Sequence, residues 1–329
     1  MSEIIAVATA IEAQPISTAQ SILPVEAVPV AEIEEDAEVR SFRVHPSRTS
    51  SLSSSFCPAE PQTNQNSLMR LTPDIMSEKQ LEAFEKFKQH KNLFITGPGG
   101  TGKSSLIESI RQEGKNRCRV VQVTALTGCA AVLLRSGART LHSWAGIGRG
   151  EKPVEHYVAA IARNPFKREA WKNTDVLVVD EVSMMSKKMF ELVDAVARKV
   201  RKQKYLPFGG MQVIFTGDFY QLPPVPSDDD PETGQFCFES AIWKTAFLPE
   251  NHVVLSQNFR QGDDEKYQKI LGQLRVGRMK RSAVEQLTAH VGVPISPEIT
   301  RGVVPTKLFP IKRKVEQTNK ENMAALTTP

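Results

Sequence analysis

"NLFITGPGGTGKSSLIESIRQ", residues 92–112, decides the fold. The apolar run Leu93 to Ile95 reads as a short buried strand, and the apolar spacing after Lys103 reads as a helix. Between them Gly97 to Ser104 match G-x-x-x-x-G-K-[ST], in the strand-before, helix-after context that this pattern requires. The chemistry explains the residue types. Glycines let successive backbone N–H groups turn toward a polyphosphate, and the following helix N-terminus adds its positive dipole end. Lys103 is expected to neutralise the β- and γ-phosphates, and Ser104 to place its hydroxyl on Mg²⁺. Gly97, Pro98, Gly99, Gly100, Thr101, Gly102, Lys103, Ser104 and Ser105 are thus the expected nucleoside-triphosphate-binding residues.

The strand signature recurs in "RVVQVTA" (119–125), "VLVVDE" (176–181) and "QVIFTGD" (212–218), each ending in a small or polar residue. Helix-like stretches alternate with them, which points to a parallel α/β sheet. "SEKQLEAFEKFKQH" (77–90) has a capping Ser77 and apolar Leu81, Phe84 and Phe87. In "MMSKKMFELVDAVARKVRKQ" (184–203), Met185, Met189, Leu192 or Val193, Val196 and Val200 share one helical face and are expected in the core.

Hydrolysis needs a carboxylate for the magnesium and a group to orient water. Two strand ends offer acids, Asp180 and Asp218, and only Asp180 is followed at once by a second carboxylate. Asp180 is therefore expected to reach the metal and Glu181 to polarise the attacking water. Both leave a strand at its carboxyl end, where ligands bind in open α/β sheets. Asp218 is left as a sensor or structural acid.

The 329 residues, 40% hydrophobic, can build one large or two medium domains. No apolar run approaches the roughly 18 to 20 residues needed to span a bilayer, so no membrane association is expected. Cys57, Cys118, Cys129 and Cys237 show neither CxxC nor Cys/His spacing, which supports no zinc site or disulfide scaffold and fits a reducing interior. The net charge of +5 combines an acidic stretch at Glu32 to Glu38 with a more basic body, compatible with an anionic partner. Residues 1–70, rich in Ala, Val, Pro, Ser and Gln, read as a disordered leader. Their acids fit no transit peptide, so the chain is expected inside the cell, in the nucleus if eukaryotic, with a mitochondrial location lacking a clear signal.

Several stretches then act together. "GPGGTGKS", "TALTGCAAVLLRSGARTLHSWAGIG", "VVDEVSMMS", "PFGGMQVIFTGDFYQLPPV", "FESAIWK" and "LSQNFRQGDDEKYQKILGQLRVG" resemble, in order and spacing, the motifs of the PIF (petite integration frequency) helicase family of superfamily 1B, relatives of RecD-type helicases. The similarity runs over roughly residues 71–326, and "TLHSWAGIG" with "GDFYQLPPV" is far more specific than a phosphate loop.

The resemblance implies a RecA-like P-loop ATPase domain at 71–260, a helical segment and the start of a second RecA-like domain at 261–329, and a 5′ to 3′ ATP-dependent DNA helicase of repair, recombination or telomere upkeep. Its ligands would be ATP, Mg²⁺ and single-stranded or tailed duplex DNA. Gln80 matches the family's adenine-reading glutamine, although Ser77-x-x-Gln80 is equally a capping box. Thr124, Thr127 and Gly128 match a motif contacting single-stranded DNA. His142 and Trp144 follow in the next motif, Trp144 either stacking on a base or lying buried. Arg260 matches an arginine reaching the γ-phosphate, whereas Arg275 and Arg278 read as complements to a helix carbonyl end. Gln221, pinned by Pro223 and Pro224, is expected beside the γ-phosphate as a sensor. Family members continue past "LFPIKRKVEQTNKENMAAL", so unwinding is expected to need a second chain supplying the rest of the other RecA-like domain. A nucleotide- and DNA-binding module that does not unwind is the alternative.

Overall fold

The computed structural model describes residues 72–134, 137–262, 264–294 and 305–326, all within one compact unit; the leader expected at 1–70 lies outside the described residues. Six parallel strands make one sheet in the order β3-β2-β4-β5-β1-β6. They are β1 (Leu93–Thr96), β2 (Val121–Ala125), β3 (Arg139–Thr140), β4 (Val176–Asp180), β5 (Gln212–Gly217) and β6 (His252–Val254). The register is set by apolar runs buried on both sides: Val176 to Val179 of β4 pair with Gln212 to Phe215 of β5, and Leu93 to Thr96 of β1 pair with Ile214 to Gly217. Every strand therefore delivers its carboxyl end to the same edge.

Alternation along the strands feeds two cores. Leu93, Ile95, Val176, Val178 and Ile214 face one side, packed by α1 (Glu78–Lys88), α2 (Lys103–Asn116) and α3 (Gly128–Leu133) through Phe84, Phe87, Leu106, Ile107, Ile110 and Ala131. Phe94, Leu177, Val179, Val213 and Phe215 face the other, under α4 (Leu141–Ala145), α5 (Val154–Arg163), α6 (Pro165–Asn173), α7 (Lys187–Val200) and α8 (Ala241–Ala246). Each such side chain fully buried contributes about 1.5–3 kcal/mol before conformational entropy is counted.

Helix α7 starts at Lys187 because Ser186 caps it, its hydroxyl accepting from the Met189 N–H at 3.2 Å. The expected stripe is buried at Met189, Leu192, Val193 and Val196; Met185 is buried too but precedes the helix. Among the described residues, three further helices follow the sheet: α9 (Glu265–Arg275), α10 (Arg281–Thr288) and α11 (Lys312–Ala325). Helix α9 inserts Ile270 and Arg275 toward the rest, while α11 buries no residue. Among the described residues no helix is long and apolar enough to cross a membrane, and no His/Cys/Asp/Glu cluster has metal-site geometry.

Candidate nucleotide-binding site

At the end of β1 the chain needs glycine. Gly97 has φ 150°, and a Cβ there would stand 2.3 Å from the Leu255 carbonyl oxygen, whose own N–H binds Thr96 O at 2.8 Å. Gly100 has φ 89°, and a Cβ would meet Arg260 Cβ at 2.8 Å. The loop closes on itself: Thr101 Oγ1 donates to Pro98 O at 2.9 Å, and Lys103 Nζ to Gly97 O at 2.7 Å and Pro98 O at 3.0 Å. Ser104 and Ser105 are half-buried on the first turn of α2.

Carboxylates converge on that ammonium. Burial pushes the Lys103 pKa down, opposed by the charges of Asp218, Asp180 and Glu181. Asp180 is buried, its Oδ1 accepting from the Thr216 hydroxyl of the neighbouring strand, and burial raises its pKa. Glu181 is half-buried; burial first, then the Asp180 charge, lift its pKa as well. Its φ of 58° is an uncommon conformation for a residue with a Cβ and ends the strand at the site. Asp180 and Glu181 thus lie within electrostatic reach of each other and of Lys103.

Gln80 serves the loop from behind. It is fully buried, its Oε1 accepting from the Ser77 N–H at 2.9 Å and its Nε2 donating to Thr101 O at 3.2 Å. The capping box is completed by the Gln80 N–H on Ser77 Oγ at 3.3 Å. Gln221 is exposed and its Nε2 donates to Asp218 Oδ2 at 3.2 Å. Arg260 is exposed above the loop, its Nη1 3.8 Å from where a Cβ on Gly99 would stand.

Two residues that the sequence reading gave no part in the site complete it. Asn258 Nδ2 donates to Gly99 O at 3.3 Å, its Oδ1 accepts from the Arg260 N–H at 2.8 Å, and the neighbouring Phe259 N–H binds Gly100 O at 2.8 Å. Arg275, read from sequence as a helix-end complement, instead grips Asp218 bidentately: Nε to Oδ2 at 2.8 Å, Nη2 to Oδ1 at 2.7 Å. No local signal marks either residue, since the Asn258 partner is 159 residues away and the Arg275 partner 57.

Two expected DNA contacts are corrected. Thr124 is 0% exposed and spends its hydroxyl on Val178 O at 2.8 Å inside the sheet, so it cannot touch a strand of nucleic acid. Trp144 is 1% exposed, its ring 4.6 Å from that of Trp171 between centroids; of its two readings the buried one holds. Thr127 caps α3 through the Ala130 N–H at 3.2 Å, Gly128 is exposed with nothing within 4 Å of a Cβ position, and His142 is half-buried, burial lowering its pKa.

A parallel sheet with a glycine-rich loop at the end of one strand and paired acids at the end of another defines a P-loop nucleotide-binding domain of RecA-like type. The family model of the PIF1-like helicases matches residues 75–284, and the chain belongs to that family. It is 35% identical over 247 residues to the ATP-dependent DNA helicase RRM3 of Saccharomyces cerevisiae, covering 73% of this chain and 32% of that protein. To the human ATP-dependent DNA helicase PIF1 it is 37% identical over 251 residues, covering 76% and 37%. A crystal structure of Pif1 helicase from Candida albicans superposes with a TM-score of 0.69 at 33% identity, covering 77% of this chain and 55% of that one. Bacteroides Pif1 bound to single-stranded DNA gives a TM-score of 0.61 at 25% identity, covering 75% and 56%. The chain thus spans about a third of the length of these curated relatives.

Proposed function

We propose that this chain binds and hydrolyses ATP and couples turnover to single-stranded DNA, as the motor domain of an intracellular 5′ to 3′ DNA helicase serving genome maintenance. The observation that carries the reading is the half-buried Lys103 ammonium, set in a glycine loop and facing carboxylates from two adjacent strand ends.

The roles follow from position. Lys103 exchanges two loop carbonyls for β- and γ-phosphate oxygens, alongside the N–H groups of Gly99 to Ser105. The hydroxyl of Ser104 and the buried carboxylate of Asp180 are hard oxygen donors suited to Mg²⁺, which when bound would screen phosphate charge. Glu181, its pKa raised, is the group that accepts a proton or hydrogen bond from the attacking water. Gln221, held on Asp218, and Arg260, next to the phosphate loop, are the groups that would meet the γ-phosphate, the first orienting, the second stabilising charge. Adenine reading by Gln80 would require its amide, fully buried with Oε1 on the Ser77 N–H and Nε2 on Thr101 O, to turn out toward the base. The Thr127–Gly128 turn and His142 form the face offered to a DNA strand.

Turnover measured with and without single-stranded DNA, and strand separation measured on a 5′-tailed duplex, test this. DNA-stimulated hydrolysis, lost by at least about a hundredfold in Lys103→Ala and Glu181→Gln, is the expected result. Nucleotide binding without DNA stimulation would instead make the chain a binding module.

A further inference from the structure

Asp218 stands beside the phosphate loop because β1 and β5 run in parallel register. Thr96 pairs with Gly217, so Gly97 and Asp218 leave the sheet side by side. The Lys103 ammonium rests on the Gly97 carbonyl. Asp218 is only 1% exposed, so its charge must be met within the protein. Arg275 meets it with two hydrogen bonds, 2.7 and 2.8 Å, and its guanidinium lies 4.3 Å from the centroid of the Tyr220 ring. The same carboxylate holds the Gln221 amide at 3.2 Å and the Tyr220 N–H at 3.2 Å.

We infer that Arg275 is a positioning residue of the nucleotide site: it cancels the charge of Asp218, leaving Lys103 free for phosphate, and through that carboxylate holds Gln221 in place. This rests on the nucleotide reading above. Without Arg275 the buried carboxylate has an alternative cation at hand, since the Lys103 ammonium rests on Gly97, which leaves the sheet beside Asp218. A lysine paired to Asp218 is a lysine withdrawn from the γ-phosphate. The arrangement also fastens the carboxyl end of α9 to the site, so a movement of that helix is felt at Gln221.

The test is a charge cycle on the full chain, reading the ATP KM, kcat and the affinity for a fluorescent ATP analogue, with a melting curve for each variant. Arg275→Ala is expected to weaken nucleotide affinity about tenfold, within the usual coupling range of contacting residues. Asp218→Asn added to Arg275→Ala removes the charge that would capture Lys103 and is expected to recover affinity to within about threefold of wild type. Arg275→Lys, which keeps the charge but not the fork, should fall between. A purely packing role predicts the opposite for the double variant, affinity as weak as or weaker than Arg275→Ala, and that result overturns the proposal. So does an unaltered affinity in Arg275→Ala. Should that variant not fold, Arg275→Gln read against Asp218→Asn/Arg275→Gln applies the same logic. Wild-type protein that binds no nucleotide would remove the nucleotide reading itself, a failure distinct from that of the cycle.

Discussion

At Asp218 two effects oppose one another. Burial alone would raise its pKa, but the Arg275 hydrogen bonds and charge, with the Gln221 amide and the Tyr220 N–H, hold it below the ordinary 3.8. A group depressed in this way stabilises the fold fully above its unfolded pKa, and the contribution is lost as pH falls through the folded value. Asp218→Asn, which leaves Arg275 facing a neutral amide, is expected to cost on the order of 3 kcal/mol at neutral pH. Urea denaturation of both proteins from about pH 7 to about pH 3 should show the gap narrowing below about pH 4, as the wild-type carboxyl takes up its proton. Lys103, Asp180 and Glu181 face the same space, but they titrate in both proteins and largely cancel in the difference. A gap that persists at the acid end would show that packing, not charge, is lost. At this scale the sequence was legible where chemistry dictates the residue type, as with Lys103 and the Asp180–Glu181 pair. It was not legible where direction decides. Thr124 looks like a DNA contact in one dimension, and only the strand register turns its hydroxyl onto Val178 O.

Segments gain their function by what they are strapped to. Residues 255–260 run from β6 across the mouth of the phosphate loop, held by Leu255 N–H to Thr96 O, Phe259 N–H to Gly100 O and the Asn258 amide to Gly99 O. Asn258 alone both donates to the loop and accepts from the Arg260 and Gln261 N–H groups. It thereby fixes the arginine proposed for the γ-phosphate. Asn258→Ala is expected to lower kcat for ATP about tenfold with little change in melting temperature, because Asn258 to Arg260, unlike the buried Leu255, lie outside both cores. Steady-state kinetics beside a thermal melt decide this; a fall in stability with unchanged kcat would reduce Asn258 to a structural cap. Strands β1, β2, β4 and β5 and helices α1, α2 and α7 could be read from sequence because their apolar periods are clear, whereas the two-residue β3 is too short to show one. This strap could not, since its order comes from pairing with a loop far away in the chain rather than from any period of its own.

The sheet ties the two cores into one body, because each strand gives alternate residues to both. Ile214 belongs to the core under α1 and α2, while its neighbour Phe215 belongs to the core under α7 and α8. All three tryptophans, Trp144, Trp171 and Trp243, lie in the second core, so tryptophan fluorescence watches one side of the sheet only. That asymmetry provides a test of cooperativity. Ile110→Ala opens a cavity in the core that holds no tryptophan, where Ile110 is 0% exposed, and should cost about 2–5 kcal/mol. If the strands transmit the loss, the denaturant midpoint seen by tryptophan fluorescence will fall as far as that seen by far-UV circular dichroism. Nucleotide affinity should disappear over the same range, since the phosphate loop hangs between β1 and α2 with one core beneath it and Asp180 ends β4, which feeds both cores through Val178 and Val179. A fluorescence midpoint that stays at the wild-type value while circular dichroism shifts would mean that the sides unfold separately. The cleft would then depend on two stabilities rather than one, because Lys103 rides on the helix of the first core and Glu181 on the turn packed into the second.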